Sequence, residues 1–439
     1  MQRFVLLFVL IFLAVGMYFT VVTRGFQIFH LPLWMKKTLG SVFQKKKTVA
    51  PGAMSRWQAL CTSLAATIGT GNIAGVATAI VAGGPGALFW MWVSAFVGMM
   101  TAYAEKLLGH VYRYRKEDGS YMGGAMVTIE RGMGSRKLGV LYALLLLVTS
   151  LGMGNMIQAN SIAQAAEATW GVSPLILAPV LVLLVLLCTH GGGQKIGKVT
   201  EFLVPFMSLL YMGGALVVLW VFRENLGSAL RLVMEDAFSF RAMTIGIARG
   251  VFSNEAGLGS AVIAHAQSDV EEPVEQGMWG ILEVFLDTTV MCTITGLVLL
   301  VSGVCGSGYD GAVLTIEAFS AVFGSWGESV ISVSIFLFAL STLIAWSFFG
   351  SQCMSYIWGD KGRGVYMAVF YGFIFLGCFG QLQTVWHFSD LCNNMLAVPN
   401  ILCLLVLRKQ VSRLTKDYLN DKPKGKYKFS VTRKNQPEG

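Results

Sequence analysis

The chain has 439 residues, 55% of them hydrophobic and only 13% charged, with a formal net charge of +9 and a mean hydropathy of +0.63. A soluble domain carries about 25% charged residues, so most of this surface is excluded from facing water. The basic balance does not point to nucleic acid, because the lysines and arginines sit in short stretches between long apolar runs, as in a membrane protein.

Apolar runs of about 18 residues or more are candidate membrane-crossing helices, and the pattern predicts an all-α polytopic membrane protein with eleven spans. The first, Phe4–Val22, has the look of a secretory signal. However, Lys36, Lys37, Lys45, Lys46 and Lys47 follow it, and cleavage outside would strand them on the wrong face, so it reads as a retained accessory helix. The stretch 24–57 is expected along the cytoplasmic interface, with Phe26, Phe29, Leu31, Leu33 and Trp34 against lipid. Ten spans follow, at 58–81, 86–108, 139–166, 174–189, 197–222, 245–266, 277–304, 329–357, 364–379 and 385–407. The longer ones are expected to tilt or kink. The chain divides as 1–57 (accessory helix and interfacial segment), 58–222, an outer loop at 223–244, 245–407, and a basic tail at 408–439 that is polar and loosely ordered after Lys416.

Charge placement tests this count. With the N-terminus outside and the C-terminus cytoplasmic, only Arg3, Arg223, Arg231, Arg241 and Arg249 of the 33 lysines and arginines fall outside or in the outer half. Shifting the count by one span would invert that bias. The eight cysteines form no CxxC pair or Cys/His cluster and read as small packed hydrophobes. The Gly191-Gly-Gly-Gln-Lys195 stretch lacks the phosphate-loop spacing and reads as a flexible cytoplasmic turn.

Two spans carry related glycine-rich cores, Ala66-Thr-Ile-Gly-Thr-Gly-Asn-Ile-Ala-Gly75 and Phe252-Ser-Asn-Glu-Ala-Gly-Leu-Gly259, sharing Asn-x-Ala-Gly at Asn72–Gly75 and Asn254–Gly257. An offset of five spans puts the two halves in opposite orientations, as in an inverted-topology transporter. Glycine permits unwound backbone, which at membrane depth needs protein, water or a bound ion to satisfy it. Half-helix ends then offer N–H groups to an anion and carbonyls to a cation, so two facing breaks suit a zwitterion. The alternative is close helix packing through the Gly71-x-x-x-Gly75 pair.

The segments Ala65–Ala79, Phe252–Ser260 and Phe338-Ala-Leu-Ser-Thr342 with Trp346 resemble the alanine or glycine:cation (sodium) symporter family, and the likeness runs through the chain from about residue 50. It implies a LeuT-like five-plus-five inverted repeat over 58–222 and 245–407, with the first span outside the core. It also implies a site. Backbone N–H groups around Gly69, Thr70 and Gly71, beside Asn72, would hold a substrate carboxylate. The break around Ser253, Asn254, Glu255 and Gly257 would face the ammonium, Gln158 would line the pocket and Trp346 would wall it. Sodium would meet carbonyls of Ala65, Ile68 and Phe338 and the hydroxyls of Ser341 and Thr342, five oxygens in keeping with a hard cation. From the residues alone, Ser341 and Thr342 can equally bond back to their own helix.

The expected activity is therefore inward sodium flux coupled to uptake of a small neutral amino acid such as alanine or glycine, by a monomer in the plasma membrane, the inner membrane if the source is bacterial. Sodium is the co-transported ion and no cofactor is expected. The alternative is proton coupling through the intramembrane carboxylates Glu255, Glu283 and Asp287. Glu283 and Asp287 share a helix face and could be oriented by Arg249; Glu105-Lys106 reads as an interfacial pair, and His110, His190 and His265 as isolated. No clustered catalytic residues or oligomeric filter repeats appear, which disfavours an enzyme or a channel.

Overall fold

A computed structural model describes residues 2–42, 52–379 and 382–420; Lys45, Lys46, Lys47 and the tail from residue 421 lie outside the described residues. Helix starts follow local chemistry. After α1 (Gln2–Val22), α2 (Arg56–Thr67) opens on a capping box in which the Ser55 hydroxyl accepts the Gln58 N–H and the Gln58 side chain accepts the Ser55 N–H, both at 3.1 Å. The chain resumes as α3 (Gly71–Gly83), bent by 54° from α2, with a π-helical first turn at Gly71–Gly75.

Next come α4 (Ala87–Tyr112) and an antiparallel ribbon of β1 (Tyr114–Arg115) and β2 (Tyr121–Met122). Then α5 (Arg136–Trp170) starts on a Ser135 cap, and α6 (Pro174–Thr189) on a Ser173 cap with proline at its first position, where no N–H is needed. The chain continues through α7 (Gly192–Val221) and α8 (Phe240–Asn254), which Ser239 caps. After a non-helical stretch come α9 (Val262–His265), α10 (Pro273–Val301), α11 (Gly311–Phe323), α12 (Ser325–Trp358), α13 (Asp360–Gly377), α14 (Leu382–Val406) and α15 (Arg408–Leu419).

Among the described residues, α4, α5, α7, α10 and α12 are each long and apolar enough to cross a bilayer, and the bent pairs α2–α3 and α14–α15 bring the count to as many as seven. Both expected breaks are present. The span expected at 245–266 is two helices separated by residues 255–261. The sequence reading missed α11, thirteen residues too short to register as a span, which lies against the π turn of α3. It also placed a turn at 191–195, where the chain already enters α7 at Gly192.

The two broken helices run antiparallel and side by side: α8 packs on α3, and α9 packs on α2. Helix α4 lies along α8 and α10, and α12 along α2, α5 and α7. One end of the bundle gathers the positive charge. There Arg56 pairs with Asp269 (3.6 Å), Lys37 with Glu275 (2.6 Å) and Lys116 with Asp360 (2.9 Å). Arg113 donates to the carbonyls of Ala266, Ser268 and Val270 at 2.5–3.0 Å, clamping the chain between α9 and α10. The interfacial segment differs in part from expectation. Phe29 and Leu31 are exposed, but Phe26 and Trp34 are buried, Phe26 against the Tyr103 ring at 5.3 Å and Trp34 donating to the Gln27 carbonyl at 3.0 Å. Those two aromatics face protein because the segment doubles back onto α4 and α10.

Candidate functional site

The first break begins where α2 ends at Thr67. The carbonyls of that last turn, Ala65 among them, have no following helical N–H to bond. Asn72 closes the gap: its side-chain oxygen accepts the Gly69 N–H (3.0 Å), and its own N–H donates to the Gly69 carbonyl (3.2 Å). The Asn72 amide also donates to the Asp287 carboxylate (2.9 Å), which accepts the hydroxyls of Ser253 and Thr288, each at 2.7 Å. Asn72 and Ser253, one from each broken helix, therefore meet at a single buried carboxylate on α10. Arg249, the partner weighed for Asp287, lies instead over the Phe252 ring at 5.9 Å.

Beyond the break, Gly69 faces α12 and α5. A Cβ on Gly69 would stand 2.8 Å from the Thr342 hydroxyl and 3.8 Å from the Gln158 side-chain oxygen, which also accepts the Thr70 hydroxyl at 3.3 Å. One turn further along α12, Trp346 is fully buried, lies on Gly154 of the π turn in α5, and keeps an indole N–H with no hydrogen-bond partner in this structure. A Cβ on Gly154 would come within 2.3 Å of the indole, so only glycine lets that ring seat.

Of the five residues expected around sodium, Ala65, Phe338, Ser341 and Thr342 come together through their oxygens. Ser341 donates to the Phe338 carbonyl at 2.8 Å and lies 3.3 Å from the Ala65 carbonyl; Thr342 donates to the Phe338 carbonyl at 3.0 Å. Back-bonding and convergence thus coexist: both hydroxyls rest on their own helix while Ser341 reaches across to α2. Ile68 is the buried residue at which α2 stops.

The second break is organised differently. Glu255 takes a left-handed conformation (φ 51°) without being glycine, and Gly257 and Gly259 follow at 92° and 79°. Protein side chains satisfy much of the freed backbone. Gly257 donates its N–H to Glu105 at 2.9 Å, its carbonyl accepts Asn400 at 2.9 Å, and the Leu258 carbonyl accepts Tyr142 at 2.8 Å. Asn254 accepts the Ala256 N–H and lies against Gly98 of α4, while Gly257 packs on the Phe12 ring of α1. Glu255 accepts the Ser260 hydroxyl at 2.6 Å, and its other oxygen has no hydrogen-bond partner among the described residues. So the structure gathers Gly69, Thr70, Asn72, Gln158, Ser253, Thr342 and Trp346 around the first break, and turns Asn254 and Gly257 toward α1, α4 and α14.

Three readings need correction. The Gly71-x-x-x-Gly75 pair is no tight packing face: a Cβ at Gly71 meets only Phe252 at 3.7 Å, and at Gly75 nothing lies within 4 Å. Glu105 and Lys106 are not an interfacial pair, nor is His265 isolated. Lys106 is buried 3.1 Å from Glu283 and 3.6 Å from Glu105, and His265 is 3.2 Å from Glu283. Helix α4 carries on past Lys106 to Tyr112, and glycines on α10 let it close over that turn: a Cβ on Gly280 would come 2.7 Å from the Ala102 carbonyl. The sequence signal was the Gly277/Gly280 pair opposite a charged turn.

This arrangement matches solved transporters. The complex of MhsT with L-phenylalanine superposes with a TM-score of 0.59 at 14% identity, covering 83% of this chain and 98% of that one. A substrate-bound, outward-open sodium-coupled sialic acid symporter gives 0.55 at 16%, covering 86% and 81%. Two broken helices packed antiparallel within such a bundle are the LeuT-like fold; the family that the chain matches makes it an integral membrane transporter and not an enzyme. The match to the sodium:alanine symporter family extends over residues 1–432, and the chain belongs to that family. Its relatives include the sodium/alanine symporter AgcS of Methanococcus maripaludis, 40% identical across 92% of both chains. The amino-acid carrier protein AlsT of Bacillus subtilis is 33% identical across 94% of this chain and 90% of its own.

If Trp346 walls the substrate site, as the family resemblance implies, Trp346→Ala is expected to weaken alanine uptake and admit larger side chains. One methylene is worth about 1–3 kcal/mol in an apolar pocket, so selectivity should shift by about tenfold or more per added carbon. Competition of labelled alanine uptake by valine and leucine measures it; an unchanged profile places the indole outside the pocket.

Proposed function

We propose that this chain couples inward sodium flux to the uptake of a small neutral amino acid, alanine or glycine, by alternating access. The observation that carries this reading is the convergence of the Ala65 and Phe338 carbonyls with the Ser341 and Thr342 hydroxyls at the open end of α2. Neutral oxygens at a helix C-terminus suit a hard monovalent cation. Next to them, the backbone N–H groups of the first break around Gly69, Thr70 and Gly71 receive the substrate carboxylate, with the Gly69 N–H itself held by Asn72 in this structure. Gln158 and Trp346 stand on the side-chain end of the substrate, and Ser253, at the end of α8, on the ammonium side. The relative named a sodium/alanine symporter supports this choice of ion and substrate.

In this reading 58–222 and 245–407 are the inverted halves and 223–244 joins them outside. The accessory helix starts outside, and the basic end with the tail lies in the cytoplasm, by the placement of lysine and arginine. A second reading, proton coupling, draws on the buried Glu255 and its unpartnered oxygen.

Purified protein in proteoliposomes decides between them. An imposed sodium gradient should concentrate alanine inside at constant pH. Accumulation driven by a pH gradient with sodium absent would favour the carboxylate reading, and no accumulation under either gradient would exclude both.

A further inference from the structure

The buried charges beside the two breaks lie outside the group proposed to hold the amino acid, yet they tie one half of each broken helix, α2 and α9, to α4 and α10. Glu283 on α10 is the hub. One of its oxygens accepts the Ser63 hydroxyl of α2; the other lies 3.1 Å from the Lys106 ammonium of α4 and 3.2 Å from His265 of α9. The Gln276 amide nitrogen is 2.6 Å from the other ring nitrogen of His265. An amide NH2 only donates, so that ring nitrogen accepts and the imidazole proton sits on the side facing Glu283. Three donors from three helices therefore converge on one carboxylate. Glu105, on the same turn as Lys106, extends the cluster by holding the Gly257 N–H and Asn400.

Ser63 precedes Ala65 by two residues on α2, and His265 ends the matching half of the other broken helix. A buried carboxylate with a countercharge and two neutral donors is stable where either charge alone is not. Fixing it fixes the spacing of α2, α9 and α4 together. We propose that Glu283 is a positioning residue for sodium: with Lys106 as its countercharge, it holds α2 through Ser63 and α9 through His265, so that the Ala65 carbonyl stands against Ser341. The inference rests on the sodium reading of the Ala65–Phe338–Ser341–Thr342 group.

The test is sodium-dependent alanine uptake by the full chain in proteoliposomes, reading the half-saturating sodium concentration separately from the maximal rate. Glu283→Gln should raise half-saturation about tenfold, the lower end of what outer partners of metal ligands cost when lost, and keep most of the rate at saturating sodium. Lys106→Met should move it the same way. The double variant should lie closer to the unmodified protein than either single change, because neither charge is then stranded. A merely structural role would lower folded protein and maximal rate together and leave half-saturation in place.

Ser63→Ala removes one hydroxyl and should raise half-saturation about threefold, while Ser63→Thr restores it. If Glu283→Gln does not reach the membrane, the Ser63 pair decides, and an unmoved sodium curve in Ser63→Ala overturns the proposal. So does an unmoved curve in a well-folded Glu283→Gln. Thr342→Ala separates the two readings. If it shifts the curve and the Glu283 and Ser63 variants do not, positioning alone fails. If Thr342→Ala shifts nothing, the sodium site itself is misassigned.

Discussion

Gly69→Val is expected to abolish sodium-driven alanine uptake, by about a hundredfold or more, while the protein reaches the membrane at normal levels. The reason is distance. Even a single methyl at this position would meet the Thr342 hydroxyl at 2.8 Å and approach Gln158, so a branched side chain fills the gap between the first break and α12. Under the proposed function that gap is where backbone N–H groups meet the substrate carboxylate. Gly75→Ala is the control. It lies six residues further along the same broken helix, nothing stands within 4 Å of its added carbon, and alanine favours the helix by about 1 kcal/mol. Although Gly75 is buried, the added methyl displaces nothing, so uptake should stay within about twofold. If Gly69→Val transports normally, the first break is not the site. If Gly75→Ala fails instead, the glycines serve helix packing after all.

That contrast marks what could be read in the sequence. Glycine content located both breaks, because unwound backbone at membrane depth leaves a compositional trace. The pair Asn72 and Asn254 looked equivalent, being four-residue matches, but the structure gives them opposite duties. Asn72 ties the first break to Asp287, whereas Asn254 caps the Ala256 N–H and leans on α4. Nothing in a short motif reports which way a side chain leaves a broken helix. The converging oxygens of Phe338, Ser341 and Thr342 were legible as one helix face at i, i+3 and i+4. Their partner Ala65 came only through the family resemblance and not from spacing, since it lies on a distant turn and its side chain has no polar atom. The charged cluster was misread for a related reason. Glu105-Lys106 sits where an apolar run appears to end, but α4 continues to Tyr112 and α10 seals the turn, so depth was set by tertiary packing. The aromatics Phe26 and Trp34 failed as lipid anchors in the same way: their apolarity was read correctly and their neighbour was not.

Thr342→Ala is expected to raise the sodium concentration needed for half-maximal alanine uptake by about tenfold, because a contact to a charged partner is worth about 1.5 kcal/mol or more. Thr342→Ser keeps the oxygen and should lie within about twofold of the unmodified protein. The variant also loses the hydroxyl bond to the Phe338 carbonyl, now 3.0 Å, whose own contribution to stability is about 1 kcal/mol. That loss would change the amount of folded protein, not the shape of the sodium curve. Under the proposed function ion and substrate share the first break, so coupling must run both ways: apparent alanine affinity in Thr342→Ala should fall at low sodium and recover at high sodium. Uptake measured against sodium at fixed pH, then against pH without sodium, separates the alternatives. A sodium curve unmoved by Thr342→Ala, together with accumulation driven by a pH gradient alone, would transfer the coupling role to a carboxylate. Glu255 would then be the first to replace, since it is the carboxylate within the second break and one of its oxygens has no hydrogen-bond partner among the described residues.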